Sequence, residues 1–355
     1  MRKMREKTTT FVHKFFAKMR RIQYLSVLAV SISALLALGS CTQNRYATFS
    51  GYAQGGVYEV KADLQGIKVD KRAVAAHIED LLTAIDTTLS GYNRLSLLSR
   101  LNRGESVTPN RYLEEVYDLS HEYFVTSGGA FDVAAGPLFD IWGFGFTNDS
   151  LPSDSVVAET LGGCGMKNYP ASLSDVVGSD GRVSIKGLNF NAIAQGYSCD
   201  VIARYLHRLG VRNMMVNIGE IYCEGVNEKG SGWTLGIDNP VDGNQTPGKD
   251  IHGIWKSNGG AFGVVTSGNY RKFYIKDGRK YSHTIDPRTG YPVEGKLLSA
   301  TIVAPSAAQA DAYATACMVM GPEEAREFIE SDQQIEGYLI SEDGVWTSPG
   351  FTLMK

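Results

Sequence analysis

Residues 300–321 read ATIVAPSAAQADAYATACMVMG and place a strand directly before a helix. The apolar run Ala300–Ala304 predicts a short buried strand. Ser306 is positioned to cap a helix of small residues that reaches Met320, before Gly321-Pro322 starts another. Strand-like and helix-like segments alternate irregularly around this pair, with no repeat and no convincing internal linker. The chain is therefore predicted to form one α+β body.

Local signals predict the other elements. Each prediction depends on a capping residue, on a glycine that ends a helix, or on apolar residues that recur every two or every 3.6 positions. The predicted strands are Gly55–Ala62 and Met214–Ile218, and hairpin turns are predicted at Asp180-Gly181 and Asp277-Gly278. One helix is predicted after the capping residue Asp70, and another over Asn191–Leu209. A third has Thr108 as cap and Pro109 in its first turn, and it ends at Ser127-Gly128-Gly129.

The first forty residues have the pattern of an export signal. They hold eight Lys or Arg residues and one acid, and the uncharged run Ile22–Leu38 follows the basic part. A transmembrane helix is the competing interpretation, although Gln23 and several serines make this run marginal for one. Leu38-Gly39-Ser40-Cys41 resembles the bacterial lipobox, in which the cysteine is diacylated. The alternative is a cysteine that happens to follow an ordinary signal peptide.

These patterns divide the chain into three parts. Residues 1–40 are expected to be a lipoprotein signal peptide, and residues 41–50 a lipidated tether that holds the protein at a membrane surface through Cys41. Residues 51–355 are expected to be the folded body. We expect this body to lie in the periplasm of a bacterium, anchored to a membrane by lipid.

The body is acidic. After residue 40 the chain carries 27 of its 35 basic and 37 of its 38 acidic residues, a net charge of −10. Sequence-independent binding of nucleic acid needs a basic face, so no nucleic-acid partner is expected. An anionic small ligand would need a metal ion or helix N-termini to hold it.

Several common enzyme motifs are missing from the sequence. It has no H-E-x-x-H, no G-x-S-x-G and no G-x-G-x-x-G, so zinc hydrolysis, the serine-hydrolase elbow and Rossmann-type dinucleotide binding lack their usual signals. Residues 243–249 imitate a phosphate loop, but Asp250 stands where Ser or Thr is needed, so a surface loop is expected. The cysteines of the body form no C-x-x-C and are expected to be buried free thiols: Cys164, Cys199, Cys223 and Cys317.

An aromatic cluster marks residues 131–146, FDVAAGPLFDIWGFGF. It contains Phe139, Trp142, Phe144 and Phe146. A flat heteroaromatic ligand would suit such a wall, because ring stacking adds about 0.5–1.5 kcal/mol per pair beyond burial. On composition alone, an aromatic mini-core is the favoured alternative.

Two polar segments also carry residues typical of ligand sites. In residues 187–200, GLNFNAIAQGYSCD, the amides of Asn189, Asn191 and Gln195 cluster at the start of a helix, where free N–H groups attract anions. Simple capping by Asn191 explains them equally well. In residues 264–292, His283 is flanked by Ser, Thr, Asp and Arg. A lone histidine is usually structural, but this one is a candidate general base.

Asp311 and Thr315 form the last candidate constellation. They are four residues apart and therefore lie on one face of the predicted helix. A carboxylate and a hydroxyl at that spacing can supply two oxygen ligands to a hard cation. From this pair alone the favoured alternative is a Thr315 hydroxyl bonded to a carbonyl of its own helix, with Asp311 in solvent.

Taken together, these segments resemble the ApbE family, the FAD:protein FMN transferases. The match runs in order through nearly all of the mature chain, and SHTIDPRTGYPV at residues 282–293 is highly specific. The other matching segments are GGVY at 55–58, LSGYNRLSLLSRLN at 89–102, FDVAAGPLFDIWGFG at 131–145, NFNAIAQGYSCD at 189–200, residues 233–240, TSGNYRKF at 266–273 and ADAYATACMVMG at 310–321. The resemblance implies a single ApbE-like (T-fold-like) body and favours ligand binding over an aromatic mini-core and a solvated Asp311.

The resemblance also implies a reaction. The protein would bind FAD with Mg²⁺, cleave its pyrophosphate, and join FMN through a phosphoester to a Thr or Ser hydroxyl of a target protein, releasing AMP. The family's metal ligands correspond to Asp311, Thr315 and the backbone carbonyl of Ala192, and its candidate base corresponds to His283. Its flavin-contacting positions correspond to Tyr92, Trp142, Gly143, Phe144, Asn189, Gln195, Ser267 and Ile285.

The chain departs from the family pattern in two places. Members usually have Asp at position 189 and Lys at position 195, where this chain has amides. Amides still form hydrogen bonds but contact charged groups more weakly. The usual N-x-G-G turn is here Asn217-Ile218-Gly219-Glu220, one glycine short. We expect these changes to affect nucleotide affinity and specificity rather than the class of reaction.

The acceptors implied by family analogy are flavoprotein subunits of Rnf- or Nqr-type redox ion pumps, or exported flavin reductases. Two alternative functions remain open from the sequence. One is a magnesium-dependent FAD pyrophosphatase, in which water replaces the protein hydroxyl and FMN and AMP are released. The other is a non-enzymatic FAD-binding lipoprotein.

Overall fold

The computed structural model describes residues 45–144, 151–242, 244, 246, 248–270, 273–276 and 279–354. Helices and strands alternate irregularly in these residues, which confirms the predicted α+β class. The strands are β1 (Tyr46–Ala53), β2 (Gly56–Asp63), β3 (Met214–Asn217), β4 (Ile221–Glu224), β5 (Thr234–Asp238), β6 (Ile251–Lys256), β7 (Phe262–Gly268), β8 (Phe273–Lys276), β9 (Arg279–Ser282), β10 (Leu297–Ala304), β11 (Glu336–Ser341) and β12 (Gly344–Thr347). The α-helices are α1 (Lys71–Leu89), α2 (Leu97–Asn102), α3 (Arg111–Thr126), α4 (Gly136–Ile141), α5 (Asp154–Gly163), α6 (Ala194–Arg208) and α7 (Ala307–Ser331), and short 3₁₀ turns span Val133–Ala135, Met166–Asn168 and Leu173–Val176.

The described strands form one large sheet and two hairpins. The sheet has the order β1-β2-β3-β4-β7-β10-β11-β12, and every neighbouring pair in it is antiparallel. The hairpins are β5–β6 and β8–β9. In β8–β9, Lys276 pairs with Arg279. The predicted turn residues Asp277 and Gly278 between them lie outside the described residues.

Side chains from the two faces of the sheet enter two different cores. Successive residues of an antiparallel strand point to opposite faces. Val265 of β7 accordingly joins the larger core with helices α1, α3, α6 and α7, while its neighbour Val264 joins a smaller core with Trp233, Trp255 and the β5–β6 hairpin. The sheet is therefore covered by helices on one face and by β5–β6 on part of the other.

Helices α6 and α7 pack closely at the centre of the larger core. A β-carbon at Gly196 would lie 2.2 Å from the carbonyl oxygen of Ala307, so only glycine allows this approach. The carboxylate of Asp200 accepts hydrogen bonds from the N–H groups of Ala307 (2.8 Å) and Ala308 (2.9 Å) at the start of α7. Burial raises the pKa of Asp200 to about 6. The two helices are thus held together by backbone contact and by a buried carboxylate.

Several predicted elements are confirmed. Asp70 caps α1 by accepting from the N–H of Arg72, and Ser306 caps α7 by accepting from the N–H of Gln309. A positive φ of 80° at Gly321 breaks α7 before Pro322, as the sequence predicts. The four cysteines of the body are free and buried.

Other predicted boundaries are wrong. Asn110, not Thr108, caps α3, because its side chain accepts from the N–H groups of both Tyr112 and Leu113. Helix α6 begins at Ala194 rather than Asn191. Asp180-Gly181 is a turn without flanking strands, since the nearby Val183 forms only an isolated bridge to Val107.

The expected tether at residues 41–50 is wrong in its second half. Residues 46–50 belong to β1, which pairs along its whole length with β2 and buries Tyr46, Ala47 and Phe49. The folded body therefore includes Tyr46. Cys41, the export signal and Phe146 lie outside the described residues. Among the helices that the structure describes, none has the length and apolarity needed to cross a bilayer.

Candidate active site

A cavity of about 1190 Å³ opens between the sheet, the β5–β6 hairpin and the start of α6. Most of its lining comes from seven regions of the chain: the β1–β2 turn (Gln54–Val57), the end of α1 with Tyr92, the residues around the start of α6 (Asn191, Ala194, Gln195), the β3–β4 turn (Asn217–Ile221), the β5–β6 hairpin, strand β7 and strand β10. Its volume is somewhat above the roughly 300–1,000 Å³ typical of ligand pockets. It is large enough for an extended ligand.

The charged residues in the described lining are all acidic. They are Asp86, Glu220 and Asp238. Asp86 accepts a hydrogen bond from the Asn93 side chain (2.8 Å), and Asp238 accepts one from the N–H of Gly248 (2.8 Å). A polyphosphate ligand would meet negative charge on these walls. A counter-cation would reduce that repulsion.

Two of the predicted flavin positions line this cavity. The Tyr92 side chain is 71% exposed, and its hydroxyl accepts a hydrogen bond from the Asn191 side chain (3.4 Å). Gln195, in the first turn of α6, brings its amide nitrogen to 3.5 Å from the carbonyl oxygen of Gln54. The Gln195 amide also fits against Gly219, whose positive φ of 103° suits glycine.

Asn189 has a local role in the structure. Its side-chain oxygen accepts from the N–H of Asn191 (3.0 Å), and its own N–H donates to the carbonyl of Val133 (2.7 Å). These bonds fix the loop that leads into α6, and with it Ala192. Asn189 is not among the residues that line the cavity.

The aromatic segment forms a buried cluster of its own. Trp142 is 6% exposed, and its indole N–H donates to the carbonyl of Gly290 (2.8 Å). The ring lies 6.0 Å from that of Tyr281 and 5.8 Å from that of Tyr291. Ile285 belongs to the same apolar cluster, and Phe144 packs against it. The fold thus brings Trp142, Phe144 and Ile285 into one cluster, with Gly143 next to Trp142 in the chain. None of these four residues is in the described lining of the large cavity.

Asp311 and Thr315 lie on α7 beside the start of α6. Asp311 is 5% exposed, which rules out the solvated alternative, and its Oδ2 accepts from the N–H of Gly196 (3.1 Å). The hydroxyl of Thr315 lies 3.4 Å from that of Ser267. Ala192, whose carbonyl completes the predicted metal set, is two residues before α6 and packs against the larger core.

The pKa of Asp311 is raised to about 7, chiefly by burial and further by the neighbouring Asp200, while the hydrogen bond from Gly196 opposes the rise. A cation bound to this carboxylate would favour its ionised form. The donor set of one carboxylate, one hydroxyl and one carbonyl consists of oxygens, which suit a hard cation such as Mg²⁺. In the described part of the chain no three His, Cys, Asp or Glu side chains form a metal cluster.

His283 lies just after β9 and is half-buried. Its neighbour Thr284 donates a hydrogen bond to the side chain of Asn269 (2.6 Å). Asn269 and Ser282 line a second cavity of about 260 Å³, and Tyr270 lines both cavities. His283 itself is not among the described lining of either cavity, so its role as base stays a prediction.

Sequence reasoning missed some residues of the cavity. Asp86, Asp238 and Trp255 line it, but they lie in separate elements with no shared local motif. Gln54 was also missed. The signal available in the sequence was Gly55, which follows Gln54 and suits the positive φ of a tight turn before the predicted strand.

Comparisons with known proteins agree with the resemblance of the sequence. The model of the ApbE family matches residues 55–339. A protein of Escherichia coli (strain K12) named FAD:protein FMN transferase is 31% identical over 307 residues, covering 82% of this chain and 84% of that protein. Among solved structures, the flavin transferase ApbE from Vibrio cholerae superposes with a TM-score of 0.70 at 30% identity, covering 86% of this chain and 97% of that one. The apo flavinyl transferase ApbE of Pseudomonas stutzeri superposes with a TM-score of 0.72 at 29% identity, covering 86% and 95%. This chain therefore belongs to the ApbE family.

Proposed function

We propose that this protein transfers FMN from FAD to a Thr or Ser hydroxyl of a target flavoprotein, releasing AMP. One observation carries the proposal. Tyr92 and Gln195, which the family resemblance assigns to the flavin nucleotide, come from distant parts of the chain and line the same cavity of about 1190 Å³. The relatives named FAD:protein FMN transferase supply the reaction.

The transfer breaks the phosphoanhydride bond of FAD and forms a phosphoester bond to the acceptor. The acceptor hydroxyl oxygen attacks the phosphorus of the FMN half, and the bond from that phosphorus to the bridging oxygen of the pyrophosphate breaks. AMP leaves with the bridging oxygen, and the hydroxyl proton passes to a base. We assign this proton to the His283 imidazole, whose contribution as a general base would be on the order of 100- to 10,000-fold.

A magnesium requirement is part of the proposal. It is supported by the acidic lining of the cavity and by the buried carboxylate of Asp311. Asp311, Thr315 and the carbonyl of Ala192 would hold the ion. When bound, Mg²⁺ would offset the charge of the pyrophosphate and of the leaving AMP.

The protein's own residues would position the substrate. The exposed ring of Tyr92 offers a face against which a flat ring can stack at the cavity edge. The amide of Gln195 offers a hydrogen-bond donor in the cavity. Fixing the FMN phosphorus against an incoming hydroxyl lowers the entropic cost of the reaction.

Attachment to a membrane through a lipidated Cys41 is a separate part of the proposal. It is supported by the lipobox-like residues 38–41, and it would place the acidic body in the periplasm. The acceptors would then be exported flavoproteins: subunits of Rnf- or Nqr-type pumps, or flavin reductases. In bacteria grown with labelled fatty acid, the wild type should be recovered with the membrane and carry the label, whereas Cys41→Ser should carry none. An unlabelled wild type, or equal labelling of the variant, would mean that the lipid anchor is wrong.

The assay that tests the transfer uses the full-length protein with FAD, Mg²⁺ and a purified acceptor subunit. Flavin fluorescence on the denatured acceptor, with AMP and FMN measured by chromatography, separates three outcomes. Covalent flavin with release of AMP supports the transferase. Free FMN with AMP and an unlabelled acceptor would mean a pyrophosphatase, and unchanged FAD would mean a carrier.

A further inference from the structure

The turn between β1 and β2 has an unusual residue at its tip. Ala53 pairs with Gly56, which leaves a two-residue loop of Gln54 and Gly55 with φ values of 51° and 83°. Hairpin loops with positive φ at both positions favour Asn, Asp or Gly at the first. Gln54 is the one non-glycine residue with positive φ in the part of the chain that the structure describes. Gln54 therefore holds a strained backbone conformation at the edge of the cavity, and such strain is often found at functional sites.

The Gln54 side chain reaches from this turn to α6. Its amide nitrogen donates to the hydroxyl of Ser198 (2.6 Å), and that hydroxyl donates to the carbonyl of Ala194 (2.6 Å). Ser198 is fully buried. The amide oxygen of Gln54 is buried without a hydrogen-bond partner among the described residues. The Gln54 side chain is therefore hydrogen-bonded to α6, although its amide oxygen has no partner among the described residues.

The backbone of Gln54 meets the same helix. Its carbonyl oxygen lies 3.5 Å from the amide nitrogen of Gln195, and both residues line the large cavity. Ser198 and Gln195 lie on either side of Gly196, whose N–H contacts Asp311. The turn is thus fixed to the segment that carries the proposed nucleotide contact and touches the proposed metal ligand.

We propose that Gln54 is a positioning residue of the nucleotide site. Its amide anchors the β1–β2 turn to Ser198, and the anchored turn holds the Gln195 side chain in the cavity. The inference rests on the proposed function, because it assigns Gln195 to FAD. It concerns a contact within the protein, so FAD binding tests it independently of FMN transfer.

The test is the substitution Gln54→Asn. Asparagine suits positive φ, so the turn should be retained and the melting temperature kept or raised. Its side chain is one methylene shorter and cannot reach Ser198. We expect the Kd for FAD, followed by flavin fluorescence, and the KM for FAD to rise about three- to ten-fold, with a smaller change in kcat. Ser198→Ala removes the other partner and should give the same shift.

The double variant and a control complete the design. If the Gln54–Ser198 contact carries the effect, combining the two substitutions should weaken FAD binding no further than either alone. Ser50→Ala, at an exposed position of β1, should leave the Kd unchanged. Additive losses in the double variant, or an unchanged Kd in Gln54→Asn, would overturn the inference. If the wild type binds FAD but transfers no FMN, the proposed function fails while the binding test of Gln54 still applies.

Discussion

The N–H of Gly196 donates a hydrogen bond to the Asp311 carboxylate over 3.1 Å, at the closest approach of α6 and α7. A β-carbon at position 196 would lie 2.2 Å from the carbonyl oxygen of Ala307 and 2.9 Å from the β-carbon of Asp311. The absence of a side chain here lets one helix place its backbone against the proposed metal ligand on the other. Helix packing and the candidate site therefore depend on the same contact.

Gly196→Ala should separate the two helices. Because the added methyl group meets backbone rather than a flexible side chain, we expect a loss of about 1–3 kcal/mol in the free energy of unfolding, with impaired FMN transfer. Urea denaturation and the transfer assay measure the two effects. Gly162→Ala in α5 is the matched control, since a β-carbon there meets nothing within 4 Å, and it should not destabilise the protein. Wild-type stability in Gly196→Ala would contradict the close packing.

The buried Asp311 should make stability depend on pH. Its pKa is about 7 in the folded protein against an ordinary value of 3.8, so the folded state retains a proton that the unfolded chain has released. The free energy of unfolding of the metal-free protein should therefore fall as the pH rises from about 4 to about 7. Asp311→Asn cannot ionise and should lack this contribution. Urea denaturation of both proteins between pH 5 and pH 8 measures it.

The comparison with Asp311→Asn removes the Asp311 carboxylate together with its charge interaction with Asp200, whereas Asp132 is buried in both proteins. The variant should gain stability relative to the wild type as the pH rises. Added Mg²⁺ should raise the melting temperature of the wild type more at pH 8 than at pH 5, and should leave the variant unchanged. Parallel pH curves for the two proteins would contradict the raised pKa of Asp311.

Tyr92→Ala should weaken FAD binding while leaving the stability of the protein almost unchanged. The side chain is 71% exposed, so its loss should change the free energy of unfolding by no more than about 0.5 kcal/mol. Loss of a stacking partner should raise the Kd for FAD by roughly two- to ten-fold. Leu95→Ala is the control, because Leu95 is 85% exposed and outside the cavity lining. Equal FAD affinity in both variants would remove Tyr92 from the nucleotide site.

His283→Gln tests the assignment of the base. A general base is needed to take the proton of the acceptor hydroxyl, so the substitution should slow single-turnover transfer. The variant should lose about 100- to 10,000-fold in single-turnover rate at each pH between 6 and 8, with FAD binding retained. An unchanged single-turnover rate across this pH range would exclude His283 as the base.

Local signals predicted much of the fold. Asp70 and Ser306 cap the two helices as the sequence predicts, since no second strong capping residue lies beside either of them. At α3 the prediction chose Thr108, whereas Asn110 lies closer to the apolar face and accepts two N–H groups. The sequence of residues 46–50 does not by itself indicate a strand. These residues form part of β1 because they pair with β2, and local sequence does not encode that pairing.

Part of the candidate site can be predicted from the sequence. The place of Asn191 and Gln195 at the start of a helix indicates a ligand site, the family resemblance adds Tyr92, and all three line the cavity. Asp86, Glu220 and Asp238 meet there because α1, the β3–β4 turn and β5 converge in space. No local pattern encodes such convergence, so the acidic character of the cavity could be seen only in the folded structure.

The central claim is most directly tested by a single-turnover reaction of the full-length protein with FAD, Mg²⁺ and a purified acceptor subunit. Mass spectrometry of the acceptor and chromatography of the nucleotides would measure both products together. We predict one AMP released for each FMN found on a Thr or Ser of the acceptor, and neither product with a folded Asp311→Ala variant. Covalent labelling by Asp311→Ala at the wild-type rate, or release of AMP by the wild type with no flavin on the acceptor, would contradict the account.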